Sequence, residues 1–148
     1  MTTVVCDANI VVKWVHPQGE PGSDEAFELV LAASRREIRL RVLDLTYYEV
    51  GNALIKKKAL PGDRVATILR RIPSITGPPL CPVPEEMDLA SELADRFGLT
   101  LYDAAYWATA RSHGAELATV DRELLAADAG STPAQLCERL GIEPPTRP

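Results

Sequence analysis

Apolar positions along this 148-residue chain change period repeatedly, and the changes mark its elements. TTVVC, ending at Asp7, is a β-branched run that suits a buried strand. The apolar segment ANIVVKWV is compatible with strand or helix and stops at the loop HPQGEPGS. Ser23 is placed to cap a helix with Asp24 and Glu25 in its first turn and Phe27, Val30, Leu31 and Ser34 at helical spacing. Ile38, Leu40 and Val42 alternate with polar residues, as on a half-buried strand. A helix is expected over 45–58, followed by the break LPGD and a short amphipathic helix with Val65, Ile68, Leu69 and Ile72 on one side. Five prolines between positions 73 and 84 leave room only for a short edge strand over 80–83. Ala90, Leu93, Ala94 and Phe97 mark the next helix, with Gly98 placed to cap it. Another helix is expected over 101–113, stopped by Gly114, then the strand AELAT and the short helix DRELLAAD. PAQLCERLGI looks helical and EPPTRP looks like a loose tail.

Strands alternating with helices imply a parallel sheet covered on both faces: a three-layer α/β/α domain with four to five strands. One domain spanning 1–148 is expected, with a core over about 3–127 and 128–148 forming a C-terminal helix and tail. Functional groups in such a sheet gather where the strands end. Asp7 follows the first strand and Asp121 lies just past the last, while Glu49 and Asp103 open helices that must start at the same edge. Topology therefore brings four acids to one rim.

Glu49 and Asp103 share a local pattern, Thr46-Tyr47-Tyr48-Glu49 and Thr100-Leu101-Tyr102-Asp103. A capping box explains each singly, Thr accepting from the backbone and the acid reaching back. Caps normally sit in polar turns, however, and these acids are embedded in YYEVGNAL and LYDAAYWA. The aromatic neighbours Tyr47, Tyr48, Tyr102, Tyr106 and Trp107 read as core. Four carboxylates on one rim raise one another's pKa unless a cation sits among them. An all-oxygen donor set selects a hard ion, Mg2+ or Mn2+, whose chemistry suits phosphodiester hydrolysis.

The net charge of −5 argues against nonspecific nucleic-acid binding, but its distribution is uneven. Residues 35–71 hold ten basic against four acidic side chains, a net of +6 that leaves −11 elsewhere. Lys56, Lys57 and Lys58 at its centre are either a solvated face or a landing strip for a polyanion. Cys6, Cys81 and Cys137 are too scattered for a disulfide framework or a zinc site, and no apolar run is long enough to span a bilayer. A soluble, cytoplasmic protein with no membrane association is expected. Asn9 and Thr119 are candidates for orienting a carboxylate, with ordinary turn chemistry as the alternative. His16 and His113, beside Pro and Gly breaks, read as solvated loop residues.

VVCDANI, YYEVGNAL, LTLYDAAYWATA and ATVDREL, in this order and spacing, resemble a PIN-domain ribonuclease, specifically a VapC-type toxin of a toxin-antitoxin pair. The resemblance covers residue 3 to about 127. It implies an Mg2+-dependent endoribonuclease, usually a homodimer, silenced by a cognate antitoxin. The family's metal-binding acids match Asp7, Glu49, Asp103 and Asp121, and its small polar residues match Asn9 and Thr119. The family usually ends in a short edge strand, which GSTPAQLCERLGI does not look like. A receiver domain wants paired acids after the first strand and a Lys after the last, and a haloacid-dehalogenase-type phosphatase wants Asp-x-Asp where Asp7-Ala8-Asn9 has one acid. The remaining alternative is a catalytically silent PIN-like interaction module whose acids merely cap helices.

Overall fold

The computed structural model describes residues 1–143. Its elements are β1 (Thr2–Cys6), α1 (Ala8–Val15), α2 (Ser23–Ser34), β2 (Ile38–Arg41), α3 (Asp44–Lys56), α4 (Gly62–Thr76), α5 (Pro84–Phe97), α6 (Leu101–Ser112), β3 (Glu116–Ala118), α7 (Arg122–Ala126) and α8 (Pro133–Leu140). The three strands pair in parallel in the order β2-β1-β3, with Thr2 opposite Ile38 and Val4 opposite Glu116. β1 is central and buried on both faces, so its apolar run is nearly continuous. Its side chains still alternate: Val4 and Cys6 join a core with α1, α2, α3 and α4, whereas Val5 joins one with α5, α6 and α7.

Among the described residues the sheet has three strands, where four to five were expected. The missing two survive as single bridges, Leu43 to Leu80 and Ala118 to Ser131. On the first edge, Leu80 N donates to Val42 O at 2.8 Å and Leu80 O accepts from Asp44 N at 3.0 Å. Pro78, Pro79 and Pro82 bring no N–H groups, so the ladder cannot extend. On the other edge, Thr132 stops the strand by capping α8, accepting from Gln135 N at 3.2 Å while Gln135 returns a bond to Thr132 N. Gly130 is required there by space, since a Cβ at that position would lie 2.7 Å from Leu117 O.

Two boundaries differ from the expectation, and one open segment is decided. Gly22, at φ 70°, takes the cap position before α2, and Ser23 is already helical. The segment ANIVVKWV, left open, is a helix because the Asp7 side chain accepts from Ile10 N and starts it. α4 runs through Pro73 to Thr76, holding Ile72 and Thr76 buried. Gly98 caps α5 in the left-handed conformation, φ 67°, as its position suggested. Of the expected tail, residues 144–148 lie outside the described residues. No helix among the described residues is long and apolar enough to cross a membrane.

Candidate active site

All three strands point the same way, so the turns after β1, β2 and β3 and the start of α6 share one rim. Asp7 is its buried anchor, 4% exposed. Oδ1 accepts from Ile10 N at 3.2 Å and Oδ2 from Thr119 Oγ1 at 2.5 Å. Burial pushes the Asp7 carboxyl up to about 7; the two hydrogen bonds oppose the rise, and the charges of Asp103 and Glu49 add to it. Thr119 Oγ1 also accepts from Asp121 N at 3.0 Å, so this one hydroxyl ties the end of β3 to Asp7.

Glu49 is held by a chain of hydrogen bonds. Leu43 N donates to Thr46 Oγ1 at 3.1 Å, Thr46 Oγ1 lies 2.8 Å from Tyr106 Oη, and Tyr106 Oη donates to Glu49 Oε1 at 2.8 Å. Tyr106 has one proton and an ionised carboxylate only accepts, so the Thr46 hydroxyl must donate to Tyr106. Burial raises the Glu49 pKa, Tyr106 counters this, and Asp103 reinforces it. Tyr106 was expected to be core. It is, at 1% exposed, yet its hydroxyl ends on a candidate site acid. Tyr106→Phe is expected to cost about 1–2 kcal/mol of stability, mainly by stranding Thr46.

Asp103 stands in the first turn of α6. Thr100 caps that helix by accepting from Asp103 N at 3.1 Å, and the carboxylate makes no return bond to Thr100 N. Its pKa is raised first by burial and then by Asp121, with a smaller rise from Glu123 and an opposing contribution from Thr100. Ligand atoms of Asp103, Asp121 and Glu123 lie within 4.8 Å of one another. Asp121 uses Oδ1 to cap α7, accepting from Glu123 N at 3.0 Å and Leu124 N at 2.9 Å.

The rim thus collects Asp7, Glu49, Asp103 and Asp121, although not as one tight group. Asp7 and Glu49 couple to Asp103 electrostatically, outside the compact trio. Glu123 was missed by sequence reasoning. Its signal was present in ATVDREL, an acid two residues past Asp121, but an acid opening a helix has an ordinary explanation in the helix dipole. The donors are carboxylate oxygens gathered at one partly buried rim, which is the chemistry a hard divalent cation would satisfy.

The remaining predicted residues spread along a groove of about 470 Å³ beside Glu49, lined in part by Asn9, Tyr48, Asn52, Lys56, Lys57 and Tyr102. Asn9 is exposed there. Lys58 turns away: its Nζ lies 2.6 Å from Gln18 O and 3.1 Å from Glu20 Oε1. Tyr48 and Tyr102, expected in the core, are instead on the surface. Each occupies a helical position facing outward beside the rim.

Residues 4–130 match the PIN domain family, and the chain belongs to it. Over 93 residues it is 38% identical to Exonuclease VapC9 of Pyrobaculum aerophilum, covering 63% of this chain and 70% of that one. A solved protein from Pyrobaculum aerophilum superposes with a TM-score of 0.69 at 29% identity, over 96% of this chain and 91% of that one. A toxin-antitoxin complex from Klebsiella pneumoniae shares the fold, with a TM-score of 0.62 at 22% identity over 88% of this chain and 97% of that one.

Proposed function

We propose that this PIN domain protein is a divalent-metal-dependent endoribonuclease acting as the toxin of a toxin-antitoxin pair. The observation that carries the reading is the placement of Asp7, Glu49, Asp103 and Asp121, from four separate segments, at one sheet edge, with the pKa values of the first three raised mainly by burial and further by neighbouring acids. The VapC name of the relative and the toxin-antitoxin nature of the Klebsiella neighbour support the toxin role and a cognate antitoxin partner. Homodimerisation and a cytoplasmic location belong to the same reading.

Mg2+ or Mn2+ bound by these four acids would supply an activated water and neutralise charge on a phosphoryl oxygen. The protein's own residues set up that chemistry. Thr119 and Ile10 N fix both oxygens of Asp7, Tyr106 fixes one oxygen of Glu49, and the α7 amides fix Oδ1 of Asp121. Lys56 and Lys57 offer positive charge to the RNA backbone beside Glu49. One observation favours the silent-module alternative: Asp7 and Asp121 are both helix caps. Capping does not account for Glu49, which lies in the second turn of α3, or for the Asp103 carboxylate, which makes no return bond to the Thr100 backbone N–H.

The test is incubation of the purified protein with linear and closed circular RNA in EDTA, Mg2+ or Mn2+. Cleavage of both RNAs with metal, none in EDTA, is expected. In Asp7→Asn it should fall by more than the roughly 10–100-fold typical of losing an outer partner of a ligand. Trimming of linear ends alone would make the protein an exonuclease, as its relative is named. Wild-type and Asp7→Asn proteins equally inactive under every metal would support the silent module. Tyr106→Phe supplies a graded control: the Mg2+ concentration for half-maximal cleavage should rise by roughly 10–100-fold.

A further inference from the structure

β2 is an outermost strand of the sheet, and beyond it the chain offers only the single bridge at Leu80. The edge left open is recessed. Between β2, the end of α2 and the end of α4 lies a cavity of about 500 Å³, which shares no residue with the groove beside Glu49. Three arginines line it, Arg36, Arg39 and Arg41, and no acid does. Glu37, the acid next to Arg36, is already taken by Arg35 at 2.6 Å. The cavity is therefore cationic in a chain of net charge −5.

Each arginine carries a separate mark. Arg41 Nη2 donates to Pro78 O at 3.0 Å, which fixes the guanidinium, yet its Nε is buried without a hydrogen-bond partner. A buried N–H in that state calls for an acceptor. Arg39 stands two residues earlier on the strand, so its side chain leaves the same face about 7 Å away. Arg36 follows α2 in the left-handed conformation, φ 61°, where glycine is the unstrained choice. An arginine there supplies charge at a backbone cost. The lining also includes the apolar side chains of Ile75, Pro78 and the 70%-exposed Met1.

We propose that this cavity binds a nucleoside diphosphate, with its phosphates on Arg36, Arg39 and Arg41 and its base against Ile75 and Pro78. The volume falls within the roughly 300–1,000 Å³ of small-molecule sites. Guanidinium groups grip phosphate oxygens in pairs, and two of them at alternate positions of one strand can hold the linked phosphates of one ligand. A bare phosphate would leave the apolar walls wet, whereas the flat face of a base covers them. The site is independent of the ribonuclease reading. It lies at the outer edge of β2, uses none of the rim acids and needs no metal.

Titration calorimetry of the full chain in EDTA tests the proposal, since without a divalent ion a nucleotide cannot bridge to the rim acids. ADP, GDP, CDP and UDP would be compared with adenosine and with inorganic pyrophosphate. At least one of the diphosphates should bind at one site per chain, more tightly than adenosine or pyrophosphate and more weakly as salt is raised. Arg39→Gln should weaken that binding by roughly 10–150-fold, the range for losing a hydrogen bond to a charged group. Arg39→Lys, which keeps the charge but not the fork, should weaken it less. Arg36→Gly is the decisive variant. Glycine suits a left-handed position, so this protein should melt at or above the wild-type midpoint, and a loss of nucleotide affinity by a similar factor cannot then be laid to unfolding. No diphosphate binding at millimolar concentration, pyrophosphate binding as tight as the best nucleotide, or unchanged affinity in Arg36→Gly and Arg39→Gln would each overturn the proposal. So would displacement of the bound nucleotide by poly-glutamate at a lower concentration, which would give the cavity to an acidic protein segment instead.

Discussion

In metal-free buffer the thermal midpoint of this protein should fall as the pH rises from 5 to 8, and Mg2+ or Mn2+ should restore it. Asp7 has a folded-state pKa of about 7, against about 3.9 for an aspartate in an unfolded chain. Between those values the folded state keeps a proton that the unfolded state has released. Stability therefore declines through this window and levels off above it. Glu49 and Asp103, also raised, act in the same direction. For Asp7 alone the change from pH 5 to 8 is about 2–3 kcal/mol, or roughly 5–10 °C in a domain of this size. A divalent ion at 100 times its dissociation constant adds about 2.7 kcal/mol, a comparable rise. Asp7→Asn should flatten the pH dependence while keeping the cap on α1, because Asn caps as well as Asp. Calorimetry in EDTA across this pH range, repeated with millimolar Mg2+ and Mn2+, checks both halves. A midpoint indifferent to pH and metal would remove the basis for a metal site at this rim.

The rim itself was legible because it follows from topology. Once β and α segments alternate, each residue just after a strand or at the start of a returning helix has only one edge to occupy. Asp7, Glu49, Asp103 and Asp121 needed no side-chain detail to be brought together. The matching phrases Thr-x-Tyr-acid were less faithful. Thr100 is the cap of α6, whereas the cap position of α3 belongs to Leu43 and Thr46 sits three residues inside. The two acids therefore enter their helices a turn apart, and the resemblance of their surroundings concealed the offset.

Other features could not be read from local pattern. Tyr106 and Thr46 are 60 positions apart, so no spacing rule links the helix carrying Asp103 to the acid on α3. The aromatic residues of YYEVGNAL and LYDAAYWA divide between core and surface according to which face of the helix meets the sheet. Tyr106 points in, and Tyr48 and Tyr102 point out. The edge strands failed for another reason, since a bridge of one residue between prolines, or before a helix cap, has no period at all.

Asp103→Asn should move stability and activity in opposite directions. The carboxylate makes no bond to the Thr100 backbone N–H and shares one only with the Thr100 side chain, which Asn can keep, so the substitution removes little beyond a favourable dipole interaction of about 0.3–1 kcal/mol. Against that loss stands the repulsion from Asp121 and Glu123, whose ligand atoms lie within 4.8 Å of those of Asp103. Metal-free Asp103→Asn protein should accordingly melt at or above the wild-type midpoint, and most clearly above it at pH 8, where the raised Asp103 carboxyl of the wild type carries its charge. Its response to Mg2+ should shrink, and cleavage should fall by more than about 100-fold, beyond the range for an outer partner of a ligand. Asp121→Asn is the matched control. It leaves an oxygen to accept from Glu123 N and Leu124 N, so α7 stays capped while one charge leaves the same trio. Both variants folded, both metal-insensitive and both inactive is the pattern of a metal-binding cluster. Were Asp103→Asn to cleave RNA at the wild-type rate in limiting Mg2+, the acid would be an ornament of the helix terminus and the site would have to be rebuilt around Asp7 and Glu49.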